Sequence, residues 1–201
     1  SFKSAYLRTH YPAEFLAAVI SNQGGFYSTF AYISEARRMG LAILLPDMNE
    51  SGWADRGQGE RLRMGFMQVK TIPKELGERV IEERTKNGPY QSFQDFLQRV
   101  KSEPAQTRAL VHAGCFDSIA GELTRPALMW RLYAGTVCSA EPLPIPDDYT
   151  AAQKRAHEIQ SFGFLASRHP LTLYRRQIER LRPIPASQIH LFVGQCITMV
   201  G

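Results

Sequence analysis

The sequence predicts a mainly α protein with a small β element. Three observations carry that prediction. Stretches of helical period follow one another closely, most densely between residues 57 and 135. Only three short runs, at 41–46, 62–69 and 190–201, have strand composition. The breaks between periodic stretches are marked by Gly, Pro and Ser, the residues that stop and cap helices.

The elements follow in order. "YPAEFLAAVIS" (11–21) reads as a short helix with Pro12 in its first turn, where a missing N–H costs nothing. "STFAYISEARRMG" (28–40) reads as a helix capped by Ser28, with Phe30, Ile33 and Met39 as an approximate stripe and Gly40 as its end. "LAILLP" (41–46) is a short buried strand closed by proline, and "DMNESGWADRGQGER" (47–61) is turn-rich and polar. "LRMGFMQV" (62–69) is a strand leading into a short helix. Helices are expected at 74–86, 92–100, 104–113 and 122–135, broken by "NGPYQS", "KSEPAQ" and "FDSIAGEL". Ser92 is placed to cap the second of them. "SAEPLPIPDDY" (139–149) is an extended linker with three prolines and three acids. Residues 150–185 read as one helix, a break at His169–Pro170 and a second, basic helix. "HLFVGQCITMVG" (190–201) has strand composition without room for partner strands.

Bulk properties exclude several classes. With 201 residues and 44% hydrophobic content, the chain is a globular protein of one or two domains. No apolar run approaches a membrane span, and the start carries no positive end followed by an apolar core. Cys115, Cys138 and Cys196 are far apart and odd in number, so reduced, buried thiols in a cytoplasmic protein are expected, and the scattered histidines suggest no metal site. The first residue is not Met and the last lies inside an apolar run, so a fragment of a longer protein is expected. Charge is uneven: residues 57–135 hold twelve Lys/Arg against nine Asp/Glu, and residues 151–185 hold seven against two. Such an excess suits a polyanion partner, although a solvated basic face gives the same count.

Two helix–turn–helix units occur in the middle of the chain. In the first, "MGFMQVK" leads, "TIP" turns and "KELGERVIEER" follows. In the second, "TRALVHAGCFD" leads, "SIAG" turns and "ELTRPALMWRLYAG" follows. A tight turn into a helix start points backbone N–H groups toward an anion. Two such units, related by an approximate two-fold, could hold both strands of a duplex through its phosphates, with little sequence preference. The residues expected at these contacts are Lys70, Thr71, Ile72 and Lys74 at the first turn and Ser118, Gly121 and Arg125 at the second. Helix pairs of this kind are also plain packing units.

The blocks "SAYLRTHYPAEFLAAVISN", "EARRMGLAILLPDMNESGW", "LRMGFMQVKTIPKELGERVIEER", "GPYQSFQDFLQRV", "LVHAGCFDSIAG" and "FGFLASRHPL" fall in the order seen in bacterial DNA polymerase III alpha subunits, the C-family replicative polymerases. The chain resembles that family over nearly its whole length. The resemblance implies the end of the fingers and a connector at 1–56, a tandem helix-hairpin-helix DNA-binding domain at 57–136, a linker and basic helices at 137–185, and the truncated start of an OB-fold at 186–201. It implies double-stranded DNA and other polymerase domains as partners, with a sliding clamp and replisome subunits as partners of the intact protein. The intact protein would be a DNA-directed DNA polymerase, its Mg2+ held by carboxylates of a palm upstream of residue 1.

The sequence departs from the family pattern twice. Thr71 and Pro73 stand where the first hairpin resembles Gly-hydrophobic-Gly. Proline has no N–H, and a threonine side chain crowds a close backbone approach. A preserved helix start with a weakened phosphate cradle is expected, Lys70 and Lys74 compensating in part, and the second turn becomes the better phosphate site. No clamp-binding peptide lies between the tandem domain and the OB-fold, and "QSFGF" (160–164) has Gly163 where an apolar anchor is needed. That absence fits an error-prone paralogue. The adjacent acids Asp147–Asp148 and Glu82–Glu83 make no palm-like cluster, so no catalytic or metal-binding residue is expected here. A protein-interaction scaffold is the alternative reading. A base-excision enzyme is disfavoured, because its catalytic Asp and Lys arrangement is missing.

Overall fold

A computed structural model describes residues 2–23, 26–134 and 145–200. They fall into two compact units, Ser1–Ser167 and Arg168–Gly201. The larger unit opens with α1 (Phe2–His10), α2 (Pro12–Ser21) and α3 (Thr29–Arg38), followed by strands β1 (Ala42–Leu44), β2 (Arg56–Gln58) and β3 (Arg61–Arg63). A short 3-10 turn at Phe66–Gln68 leads into α4 (Lys74–Asn87), α5 (Phe93–Arg99), α6 (Pro104–His112), α7 (Arg125–Ala134) and α8 (Ala151–Phe162). The mainly α architecture with a small sheet is the one the periodicity predicts.

The sheet has the order β1-β3-β2. β1 lies parallel to β3 with Ala42 opposite Arg61, and β2 lies antiparallel to β3 with Arg56 opposite Arg63. Its inner face packs on α2, whose Ala13, Leu16, Ala17 and Ile20 are buried. The approach is close because Gly57 has no side chain: a Cβ there would lie 2.1 Å from the carbonyl carbon of Ala13. Leu16 and Ile20 each contribute about 1.5–3 kcal/mol relative to exposure.

The polar stretch after β1 is not a solvated loop. Asp47, Met48 and Ser51 are buried. The Asp47 carboxylate accepts from Asn49 N at 2.8 Å and Glu50 N at 3.1 Å, a turn built by the side chain itself. Asn49 exchanges two hydrogen bonds with the Tyr90 backbone, at 2.8 and 2.9 Å. Arg84 of α4 donates to the carbonyls of Met48 and Ser51, both at 2.6 Å. The stretch therefore ties the sheet to the helical part. Next to it, Asp55 is buried and accepts from Gly65 N at 2.8 Å and Gln68 Nε2 at 2.7 Å; burial first, only partly opposed by these bonds, pushes its carboxyl up to about 6.

The core of the helical part is aromatic. Phe93 and Phe96 meet Phe116 edge-on at 4.9 Å, and Tyr90 meets Phe96 at 5.5 Å. Edge-to-face rings at this spacing add about 0.5–1.5 kcal/mol per pair beyond their area. The Tyr90 hydroxyl donates to Val80 O at 2.9 Å, so its buried polar end is satisfied. Cys115 sits in the same core with its thiol pushed up by burial, while Cys196 is exposed and Cys138 lies outside the described residues. The expectation of buried thiols thus holds for Cys115 and not for Cys196.

Caps follow the sequence signals. Ser28 accepts from Ala31 N at 3.4 Å and Ser92 from Asp95 N at 3.1 Å. Gly40 and Gly88 take the left-handed φ values of +86° and +83° at helix ends. Three elements differ from expectation. α7 starts at Arg125 rather than 122, because Gly121 turns with φ +62° and Thr124 accepts from Ala127 N at 3.3 Å as its cap. The helix after residue 150 ends at Phe162, with Gly163 in a left-handed cap, so its break precedes His169–Pro170. In the smaller unit, 3-10 turns at Pro170–Tyr174 and Ala186–Phe192 flank α9 (Arg175–Leu181), and residues 193–200 form no strand. Ile184 N donates to Thr198 O at 2.9 Å, but no ladder of such bonds forms there, and strand composition without a ladder gives no strand. Residues 139–144 of the expected linker lie outside the described residues; 145–149 are irregular, as expected.

Candidate nucleic-acid interface

The first turn is assembled from both sides. Phe66 and Val69 are buried and fix the leading segment. Lys70 N donates to Ser161 O of α8 at 2.7 Å, and Ile72 N donates to Val69 O at 3.3 Å. Between them Thr71 takes φ +71°, a left-handed conformation that glycine adopts freely and threonine rarely. The threonine thus holds a backbone shape that glycine would adopt at no steric cost. Pro73, at φ −69° and ψ 150°, is the residue just before the first helical turn, and α4 starts at Lys74. Leu76 and Gly77 turn their N–H groups back to Pro73 O at 3.1 and 3.2 Å. Gly77 is needed for the next layer, since a Cβ there would meet the Trp53 ring at 2.5 Å.

Of the residues expected at this turn, Lys70, Thr71 and Lys74 are exposed. Ile72 is buried, and its N–H is already bonded to Val69 O, so it anchors the turn and offers no side chain or amide to a ligand. Lys74 faces Glu78 at 3.5 Å in an exposed pair, a contact too weak to withdraw it from a phosphate. Lys70 lies over the C-terminal end of α8: a Cβ on Gly163 would come within 2.8 Å of its Nζ. That end is the negative pole of the helix and holds the ammonium in place. The turn borders a cavity of about 360 Å³ that Lys70 and Thr71 share with Glu103, Arg108, His112 and Gln160. Arg108 and Gln160 were missed by sequence reading. They lie on α6 and α8, far along the chain from the turn, and no spacing signal links them to it.

The second turn is built differently. Gly114 takes φ +82° and Gly121 φ +62°, and both Ser118 and Gly121 are exposed. Arg125 is only 7% exposed. Its guanidinium forks onto Asp117, with Nε to Oδ1 at 2.9 Å and Nη2 to Oδ2 at 2.5 Å, and Nη1 donates to His112 O at 3.2 Å. A Cβ on Gly114 would lie 2.3 Å from Nη2, so that glycine makes room for the fork. The expectation that Arg125 is a surface cation for DNA is therefore corrected: its charge is spent inside the turn, clasping the end of α6 to the start of α7. Thr124 beside it donates to Pro146 O at 2.8 Å, which draws residues 145–150 over the start of α7. Of the two turns, the first holds the accessible cations.

Residues 40–127, which contain both turns, match the family model described as "Helix-hairpin-helix motif". The chain is 32% identical to the "Error-prone DNA polymerase" of Nocardia farcinica, over 94% of this chain and 18% of that protein. It is 31% identical to the "DNA polymerase III subunit alpha" of Thermus aquaticus, over 87% of this chain and 16% of that protein. It is 30% identical to the "Error-prone DNA polymerase" of Corynebacterium glutamicum, over 92% of this chain and 18% of that protein. These relatives are a DNA polymerase III alpha subunit and error-prone DNA polymerases, and the chain is similar to them over 87–94% of its own length. It spans 16–18% of the length of these relatives.

The surroundings of the turns are structural. The "QSFGF" stretch closes α8: Phe162 is buried, Phe164 packs on the core and Gly163 is the left-handed cap. It is a structural corner, not a peptide that can be lifted onto another protein. Asp148 pairs with Lys154 at 2.5 Å, and Glu83 accepts from Arg99 Nε at 3.1 Å. Among the described residues no three His, Cys, Asp or Glu side chains come together as a metal site, and no helix is long and apolar enough to cross a membrane.

Proposed function

We propose that this chain is a duplex-DNA-holding, non-catalytic region of a bacterial DNA polymerase. The intact protein would carry out template-directed DNA synthesis, with Mg2+ in a palm beyond these residues, in the cytoplasm. The relatives are named "DNA polymerase III subunit alpha" and "Error-prone DNA polymerase", and the reading takes the activity those names share. One observation carries it: a left-handed turn at Thr71 delivers the chain into the start of α4, with Lys70, Lys74 and Arg108 exposed around it. Amide hydrogens at a helix start and three cations suit phosphate oxygens, which report no base identity. The grip is therefore independent of sequence.

The test is duplex binding by this chain across a salt series. Affinity should fall by roughly 0.9 log units per log unit of salt for each phosphate neutralised. Replacing Lys70 and Lys74 with Gln should lower that slope by about 2 and weaken all duplexes alike. A flat salt response of the unaltered chain, or weakening of one sequence only, would sink the reading.

A second reading, as a scaffold for other polymerase or replisome components, is favoured by α7. Trp130 and Tyr133, three residues apart and so on one side of the helix, are 51% and 57% exposed. Recovery of replisome proteins by the chain after nuclease treatment, with no duplex retained at low salt, would select it.

A further inference from the structure

The sheet carries a second cluster of cations, on the face turned away from α2. Side chains alternate along a strand, so Leu62 and Gly57 point inward, as the full burial of Leu62 and the contact of Gly57 with Ala13 show. Arg61 and Arg63 of β3, with Arg56 and Gln58 of β2, therefore share the outer face. The register sets Arg56 directly opposite Arg63 and Gln58 opposite Arg61. Like charges directly opposed across an antiparallel pair are destabilising. Among the described residues the Arg56 and Arg61 guanidinium groups have no hydrogen-bond or ion-pair partner, and Arg63 donates only to Leu45 O at 3.0 Å. The four polar side chains, with Leu44 and Glu50, line a hollow of about 360 Å³. Among the described residues Glu50 is the one acid in that lining, and no ion pair joins it to the arginines.

We infer that the outer face of the sheet is a second phosphate-binding site, which takes the sugar–phosphate backbone of double-stranded DNA. Three guanidinium groups offer forked donors that match phosphate oxygens. Among the described residues no aromatic side chain lines the hollow, so it lacks the stacking platform on which unpaired bases are held. A strand whose bases are already paired to a partner needs none. Uncompensated repulsion within a small sheet is the kind of local conflict that a bound polyanion relieves.

The inference rests on the reading of the chain as a duplex holder, and the test separates the two. Duplex affinity is measured over a salt series for the unaltered chain, for Arg56→Gln with Arg61→Gln, and for Lys70→Gln with Lys74→Gln. The arginine pair should lower the salt slope by about 2 and weaken all duplexes alike. Its unfolding temperature should be unchanged or higher, since repulsion has been removed; a stabilised variant that binds less tightly cannot be explained by misfolding. An arginine pair without effect, beside a lysine pair that weakens binding, overturns this site and leaves the first turn standing. A lysine pair without effect, beside an arginine pair that weakens binding, does the reverse. Tripolyphosphate serves as the small-phosphate probe: if the arginine pair loses tripolyphosphate binding and keeps the duplex slope, the face holds a free phosphate compound and the DNA assignment falls. Where the double variant fails to fold, Arg56→Lys with Arg61→Lys keeps the charge and loses the fork; it should retain the slope with reduced affinity, and unchanged affinity would overturn the forked contact.

Discussion

Thr71 shows how one residue can be strained and still be informative. A non-glycine residue in the left-handed region costs about 1–2 kcal/mol. The surroundings impose it: Ile72 is buried immediately after, and Lys70 N is fixed to Ser161 O at 2.7 Å immediately before. The chain between these two anchors has to turn within one residue. Thr71→Gly should therefore raise stability by about 1 kcal/mol, less than the full strain because glycine also has more freedom to lose from the unfolded state. A higher urea midpoint at unchanged slope is the expected result. The same variant should bind duplex more tightly, because removal of the Cβ lets a phosphate approach the backbone. A lower midpoint would mean that the turn is not left-handed in solution.

At the scale of elements, the two hairpins divide their work. In the first, the cations are outside and the apolar residues inside. In the second, the arginine is inside and holds the element together. Arg125→Ala should cost about 2–3 kcal/mol, since it removes three hydrogen bonds and leaves Asp117 and His112 O without their donor. Chemical denaturation measures it. Duplex binding by the folded fraction should hardly change, which separates this arginine from Lys70 and Lys74. The sequence made the hairpins legible, because helical period, capping Ser92 and the left-handed glycines are local signals. It could not reveal which cations stay outside. From sequence Arg125 looks like a surface charge, because its partner, Asp117, lies eight residues away across a turn whose geometry no spacing rule fixes. Likewise the stretch 47–61 reads only as turn-rich and polar, because the partners of its first residues, Arg84 and Tyr90, are distant in sequence. Arg56, Arg61 and Arg63 form a face only once the strand register is known.

At the scale of the larger unit, α8 closes the structure over the first turn. Thr150 and Gln153 cap its start reciprocally, and Glu158 accepts from Ala166 N and Ser167 N at 3.1 and 3.0 Å beyond its end. Arg37 of α3 donates to Ala166 O. Along α6 the contact is a pair of imidazoles: His112 and His157 stack at 4.0 Å and 3°, with Tyr149 edge-on to both. Burial, then the neighbouring His157, Arg108 and Arg125, push His112 down to about 4; burial, then Arg125, lower His157. Both rings are neutral when stacked. An imidazole whose folded pKa lies below its unfolded value takes up its proton on unfolding, so stability is held above about pH 6.5 and lost as pH falls toward 4. Because Lys70 is fastened to Ser161 of α8, the helix and the first turn should loosen together. Hydrogen exchange should rise in residues 150–166 and 69–72 between pH 6.5 and 4.5, ahead of the aromatic core. His157→Phe keeps a ring against His112 and removes one of the two titrating groups and their mutual repulsion, so it should flatten that acid response. An equally steep response in the variant would place the acid sensitivity elsewhere and leave the stacked pair a packing contact only.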